Sequence, residues 1–327
     1  MIFCIAVKIL ALSCQTRQMQ KMTSKLTAGL SSFLLKALIT VAGLLLIIFS
    51  AMAQQTVLSG TVLKPSELLE KHKELAENLS QNQYKRPLFL DSSESSNTVT
   101  GNAYAILDSP FPTVSDTFKN PKRWCDVMIL HVNTKYCRAN ADTSPSTLKL
   151  NIGKKTQQSL GDTSALEFTI QLIADTSEHL VVYLNAEKGP IGTSNYRITL
   201  QVVPLSKDRS FMHLRYSYGY GLVGRLAMQG YLATLGSSKV GFTQTTQNQK
   251  TNYIGGTRGA VERNTMRYYL AIETYLNSLN QPAEQQFDKR LEGWFDATEE
   301  YPRQLHEMDK ASYLLIKKME YQRQQSQ

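Results

Sequence analysis

The segment GNAYAILDSPFPTVSDTFKNPKRW, Gly101 to Trp124, constrains this chain more than any other. It sets a short strand, a proline-bounded turn, an amphipathic helix and a Pro-x-x-Trp stop in immediate succession. Ala103, Ala105 and Leu107 alternate with Tyr104, Ile106 and Asp108, the period of two that a strand requires. Pro110 and Pro112 lack the N–H that continued pairing would use and fix φ near its helical value, so the strand must stop and a helix can start. The apolar face of that helix is Val114, Thr117 and Phe118, and Asn120-Pro121 closes it.

The first 53 residues are read apart from the fold. They hold Lys8, Arg17, Lys21, Lys25 and Lys36 with no acid, then the apolar run Ala37 to Phe49, then Ala51-Met52-Ala53. This is the pattern of a signal peptide, because the run is shorter than the roughly 20 residues a membrane span needs and a small-x-small site follows it. Met22 is a credible true start, and the mature chain would begin at Gln54. An uncleaved amphipathic anchor is the alternative. The expected locality is therefore periplasmic or secreted.

Without its leader the chain loses five of the formal +9 charges, which weakens any argument for nucleic-acid binding. A local asymmetry persists. From Arg209 to Val261 there are six basic residues and no Asp or Glu, which suits either an anionic partner or a solvated basic face. Cys4 and Cys14 leave with the leader, and Cys125 and Cys137 then form an even pair suited to one disulfide in an oxidising compartment. A continuous strand would hold them roughly 40 Å apart at about 3.3 Å per residue, against the 5.5 Å or so that a bridge allows, so a bridge requires Asp126 to Tyr136 to fold back as a short helix and a turn. Two unpaired thiols are the other reading.

Lys64 to Asn82 reads as a polar amphipathic helix, followed by a Ser/Asn-rich linker from Asp91 to Thr98. Strands are expected at Thr147–Ile152, Leu166–Ile173, His179–Glu187, Tyr196–Val203 and Ser210–Tyr218, with turn signals between them. Leu222 to Leu235 and Val261 to Leu279 take helical spacing, the second with Val261, Thr265, Tyr268, Ile272, Tyr275 and Leu279 on one face. The order of strand, Pro-Phe-x-x-Val helix, Asn-Pro-x-x-Trp, strands and late helix resembles the START-like superfamily, the helix-grip fold of polyketide cyclase-like and lipid-transfer proteins. That resemblance covers about Val99 to Leu279 and implies an α+β fold, a curved antiparallel sheet gripping a long helix around a ligand cavity. The expected organisation is 1–53 signal peptide, 54–98 helix and linker, 99–280 START-like domain and 281–327 helical extension. Near the C-terminus Leu305, Met308, Ser312, Leu315 and Met319 keep heptad-like spacing, which suits packing on the same domain or a partner helix.

Two motifs fail on inspection. Gly219-Tyr220-Gly221-Leu222-Val223-Gly224 matches G-x-G-x-x-G between strand and helix, but the ribose-binding acid about 20 residues on is missing. Gly153-Lys154-Lys155-Thr156 lacks the upstream glycine of a P-loop and reads as a turn. The five histidines never pair at H-x-x-x-H spacing, and C-x-x-C and G-x-S-x-G do not occur, so no metal, cofactor or catalytic residue is expected.

The candidate ligand-binding residues lie on the last strand and the long helix. Tyr216 and Tyr218 share one strand face, and His213 and Arg215 share the other; Arg263 and Tyr268 stand on the helix. Tyrosines offer an apolar ring with a hydroxyl, and Arg215 or His213 could hold an anionic head group. Gly255 to Gly259 could form a backbone anion nest with Arg258 or a plain loop. The expected function is exported, non-catalytic binding or transfer of a hydrophobic, anionic amphiphile such as a lipid, with peripheral membrane contact and no nucleic acid. A cyclase- or hydrolase-like enzyme in the same cavity and an envelope interaction protein acting through its C-terminal helix are the alternatives.

Overall fold

In the computed structural model, residues 62–233, 239–247 and 250–326 are described. The leader, the start at Gln54 and the end of the Leu222 helix lie outside them. The described residues from Val62 onward belong to one compact unit. Its centre is an antiparallel sheet in the order β1-β2-β8-β7-β6-β5-β4-β3. The strands are β1 (Leu88–Glu94), β2 (Thr98–Leu107), β3 (Thr134–Asn140), β4 (Ser146–Ile152), β5 (Ser164–Asp175), β6 (Leu180–Lys188), β7 (Thr193–Pro204) and β8 (Ser210–Tyr220).

Two of these strands differ from the expected organisation. β1 occupies the start of the expected linker and pairs with β2 from Leu88↔Ala105 to Glu94↔Val99, so it forms the sheet edge. β3 takes up the end of the expected bend and pairs with β4. Their sequences, LFLDSSE and TKYCRAN, carry no sustained apolar alternation.

On one face of the sheet lie α1 (Pro65–Glu74) and α2 (Ala76–Ser80). Leu68, Leu75 and Leu79 recur at helical spacing and pack on Tyr104, Val203 and Phe211. Both faces of β8 are thereby covered, and ten of its eleven residues are buried rather than every second one. Between β2 and β3 come α3 (Phe111–Phe118) and α4 (Pro121–Met128). Asn120-Pro121 closes the first and opens the second, for Asn120 Oδ1 accepts the Lys122 N–H at 3.0 Å and proline suits the first helical position. The chain then turns back, and Cys125 and Cys137 are joined with Cα atoms 5.2 Å apart.

After β8 come α5 (Leu222–Ala233), a small hairpin of β9 (Gln244–Gln247) with β10 (Lys250–Tyr253), and α6 (Gly256–Ser278). The 23-residue α6 crosses β2, β1 and β8 and buries Val261, Thr265, Tyr269, Ile272 and Tyr275. The GGTRG stretch is therefore the entry to α6, where Gly256 takes φ +64° and Arg258 donates to the hydroxyl and carbonyl of Ser92 on β1.

Outside α6 pack α7 (Ala283–Glu299), α8 (Pro302–Leu305) and α9 (Lys310–Ser326). Within α9 the buried positions are Tyr313, Lys317 and Glu320, and the heptad-like Leu315 is 64% exposed. This helix is held to the sheet by polar anchors and not by its apolar spacing. Tyr313 donates to Leu130 O, and Lys317 donates to the His131 and Thr134 carbonyls. Among the described residues no helix is long and apolar enough to cross a membrane.

Candidate functional site

A cleft of about 360 Å³ opens between one end of α6 and the sheet. From α6 it receives Ala260, Arg263, Asn264 and Arg267, which the spacing of three and four residues places on one helix face. From the sheet it receives Tyr218 on β8 with Tyr196 and Thr193 on β7. The rim is the turn Pro190–Gly192, where Ile191 is 71% exposed and takes φ 55°, ψ 42°, a left-handed conformation that a β-branched residue adopts only under constraint. Gly224 of α5 closes against this turn, since a Cβ there would stand 2.8 Å from the Gly192 carbonyl. The last glycine of the rejected G-x-G-x-x-G is thus explained by helix-to-turn contact.

One wall is aromatic. The Tyr196 and Tyr218 rings stack at 5.3 Å, Tyr216 lies 5.7 Å from Tyr218, and Tyr268 meets Tyr216 edge-on at 5.3 Å. Burial pushes the hydroxyls of Tyr196, Tyr216, Tyr218 and Tyr268 up, so they stay protonated donors at neutral pH.

The cleft is also lined by cations. Lys155, Arg263 and Arg267 line it together with a single acid among the described lining residues, Glu307. Arg267 Nη2 donates to Glu307 Oε1 at 2.6 Å, Lys155 pairs with Glu307 Oε2, and Lys239 stands 3.5 Å from the same oxygen. Burial alone would raise the Glu307 carboxyl, but these three cations outweigh it and hold it below the usual range. Arg263 is only 4% exposed and donates to Val240 O at 3.1 Å. Next to this wall, His131 stacks at a tilt on Tyr268, 5.5 Å away, and its Nε2 is buried without a hydrogen-bond partner. Burial first, then the charges of Arg267 and Lys317, push its imidazole far below its ordinary value, so it is neutral.

Of the six expected ligand residues, Tyr218 and Arg263 line the cleft, and Tyr216 and Tyr268 form the ring layer that supports Tyr218. His213 and Arg215 point from β8 to the other face, under α1. There the buried His213 ring stacks on Tyr104 at 4.2 Å, between Gln201 and Asn102. Strand alternation separates these two sets by necessity.

Sequence reasoning missed Lys155, Arg267 and Glu307. Arg267 could have been found, because it stands four residues after Arg263 on the same helix. Lys155 sits in the turn dismissed as a failed P-loop, and Glu307 sits between α8 and α9, where no periodic pattern operates. Among the described residues no group of three His, Cys, Asp or Glu side chains could hold a metal ion.

No family model matches this sequence, and no curated protein matches it. Solved structures do. Norcoclaurine synthase from Thalictrum flavum, as a point mutant in complex with a transition state analogue, is 14% identical with a TM-score of 0.31, covering 44% of this chain and 93% of its own. A START superfamily protein from Mycobacterium smegmatis is 14% identical with a TM-score of 0.28, covering 43% and 93%. A conserved protein of unknown function from Enterococcus faecalis is 5% identical with a TM-score of 0.30, covering 63% and 88%. Likeness at this level carries no argument about ligand or activity. The strand order and the helix laid across β2 and β8 are what make the fold START-like: an α+β curved antiparallel sheet gripping a long helix.

Proposed function

We propose that this chain is exported and binds, without chemical turnover, a small amphiphile that places an apolar body against Tyr218 and Tyr196 and an anionic end among Lys155, Arg263 and Arg267. The observation that carries this reading is the mixed lining of the cleft, in which the stacked rings of Tyr196 and Tyr218 meet three cations and, among the described lining residues, the single carboxylate of Glu307. A cavity of 360 Å³ lies at the small end of the range for ligand pockets, which favours a single acyl or ring-bearing chain over a double-chain lipid. Export is supported by the leader pattern and by the disulfide.

The test compares laurate with 1-dodecanol by titration calorimetry on the mature chain. Laurate should bind about 10-fold or more tighter, as a charge-assisted contact worth roughly 1.5 to 3 kcal/mol requires, and Lys155→Gln should remove most of that difference. Equal affinities for acid and alcohol would overturn the anionic end. Native mass spectrometry of protein from the envelope separates the alternatives: a retained amphiphile supports binding, and turnover of an added ester or cyclisable substrate would replace it with an enzyme.

A further inference from the structure

Tyr196 and Tyr218 face the cleft, so Arg197 on β7 faces the other side of the sheet, the side that carries α1 and Arg215. Arg215 stands opposite Thr199 of β7 and Asn102 of β2, and Arg197 stands opposite Ser217. Opposite residues of an antiparallel pair share a face, so the two arginines are diagonal neighbours with Cβ atoms about 7 Å apart. Both are partly buried. Neither guanidinium makes a hydrogen bond or an ion pair with a described residue, and the Arg197 Nε is buried without a partner. Asp91, the acid whose charge reaches Arg215, has its Oδ1 engaged by Asn102 Nδ2 at 2.7 Å.

Burial first pushes the Arg215 guanidinium below its ordinary value and the charge of Arg197 adds to the shift, against the opposing pull of Tyr104 and Asp91. It stays charged at neutral pH even so. Two like charges are therefore held side by side on adjacent strands without an ion-pair partner, an arrangement that an anion between them would relieve. Hydroxyls flank the pair. Tyr104 lies near enough to Arg215, and Tyr183 to Arg197, for each arginine to draw its neighbour's phenol down, but burial dominates and raises both, so the two hydroxyls are donors at neutral pH. Thr199, between Tyr183 and Arg215 in its row, and Ser217, beside Arg197, bring two further hydroxyls to the same face.

We propose that Arg197 and Arg215 form a second ligand site, for a phosphate group, carried either as free phosphate or as a small soluble monoester. Two fixed positive charges match the charge of nearly −2 that phosphate carries at neutral pH. Each guanidinium fork takes phosphate oxygens two at a time, and a phenol hydroxyl donates to another. The site is independent of the cleft and of the function proposed for it.

The probes are inorganic phosphate and glycerol 3-phosphate, each titrated calorimetrically into the mature chain at constant ionic strength. Saturable one-to-one binding is expected, and the tighter of the two identifies the ligand as the free ion or the ester. Arg197→Met and Arg215→Met keep most of each apolar stem and remove the charge; each should weaken binding at least 10-fold. Lys149→Gln removes a charge from an exposed position on β4, three strands from β7, and should leave affinity within twofold. Thermal unfolding separates binding from structure. Without phosphate each Met variant should melt no lower than the unsubstituted chain, because neither arginine has a partner to lose, and added phosphate should raise the midpoint of the unsubstituted chain alone. Absence of saturable binding, equal losses in Lys149→Gln, or Met variants that melt well below the unsubstituted chain without phosphate would overturn the site. So would binding that is lost in Lys155→Gln and kept in the Met variants, which would put the phosphate in the first cleft.

Discussion

Gly101 on β2 lies directly beneath Thr265 on α6: a Cβ at Gly101 would collide with the Thr265 hydroxyl and stand 3.3 Å from its Cβ. The hydroxyl cannot swing away freely, because it donates to Val261 O at 2.9 Å and the side chain is β-branched. The absence of a side chain at 101 thus sets how closely the helix approaches the sheet. Gly101→Val should destabilise the fold by about 1 to 3 kcal/mol through overpacking, and Gly101→Val/Thr265→Gly should recover part of it. Urea unfolding of the single and double variants checks this; full additivity would show that the two residues do not share the contact.

The disulfide between Cys125 and Cys137 closes a loop with a sequence separation of 12. The folded protein should show no free thiol without reductant. Replacing both cysteines with Ser should cost about 2 to 4 kcal/mol, as the unfolded chain regains the freedom of that loop. Thiol titration and denaturant unfolding read the two parts separately, and two freely reactive thiols would remove the bridge.

A buried charge cluster anchors α9. Lys135 and Lys317 are both essentially inaccessible, and they share the carboxylate of Glu320, with Lys135 Nζ at 2.9 Å from Oε1 and Lys317 Nζ at 2.5 Å from Oε2. Burial lowers the Lys317 ammonium to about 8, although Glu320 opposes the shift. Glu320→Gln leaves two buried cations without an anion and should destabilise by about 3 to 5 kcal/mol. Truncating before Lys310 removes one lysine and the acid together but strands Lys135, so it should also be costly. Thermal unfolding of both forms tests whether α9 is part of the cooperative unit.

What the sequence reveals of this fold follows from periodicity. The opening strand, both early helices' apolar positions, the five strands from β4 to β8 and the face of α6 all repeat at two or about 3.6 residues, and all are present. β1 was hidden because an edge strand can carry DSSE and still pair through its backbone. β3 was hidden because the cysteine constraint demanded only a reversal, which α4 and the following turn satisfy before Thr134. The site was half legible. Tyr218 and Arg263 lie on periodic elements, but the face of β8 that meets the cleft depends on which helix covers which side. Leu68 of α1, Leu79 of α2 and Leu75 between them claim the side that holds Phe211, and strand alternation puts His213 and Arg215 on that same side. Lys155 and Glu307 reach the cleft from turns, where spacing carries no information.

On that face a directional chain of hydrogen bonds predicts a pH dependence. The Leu63 N–H donates to Gln201 Oε1 at 2.9 Å, and the Gln201 amide meets His213 Nδ1 at 3.3 Å. His213 Nε2 meets Asn102 Oδ1 at 3.1 Å, and Asn102 Nδ2 donates to Asp91 at 2.7 Å. With Gln201 Oε1 taken by Leu63, its NH2 must donate, so Nδ1 accepts and Nε2 carries the proton. A neutral ring satisfies both partners. Adding a proton at Nδ1 would set two donors against each other on a buried ring faced by Tyr104, Arg215 and Lys71. Burial first, then Arg215 and Lys71, hold this imidazole down at about 3, against 6.5 when unfolded. The unfolded chain therefore binds a proton that the native state refuses between these values. Stability from this group is present above about pH 6.5 and is lost progressively as pH falls towards 3. In wild-type protein the His213 ring resonances should not titrate between pH 8 and 5. His213→Asn should lower stability at pH 7 yet flatten the loss of stability below pH 6.5, as followed by urea unfolding across pH. A His213 resonance titrating near 6.5 in the folded protein would show that the ring is solvated and that the chain does not hold the neutral form.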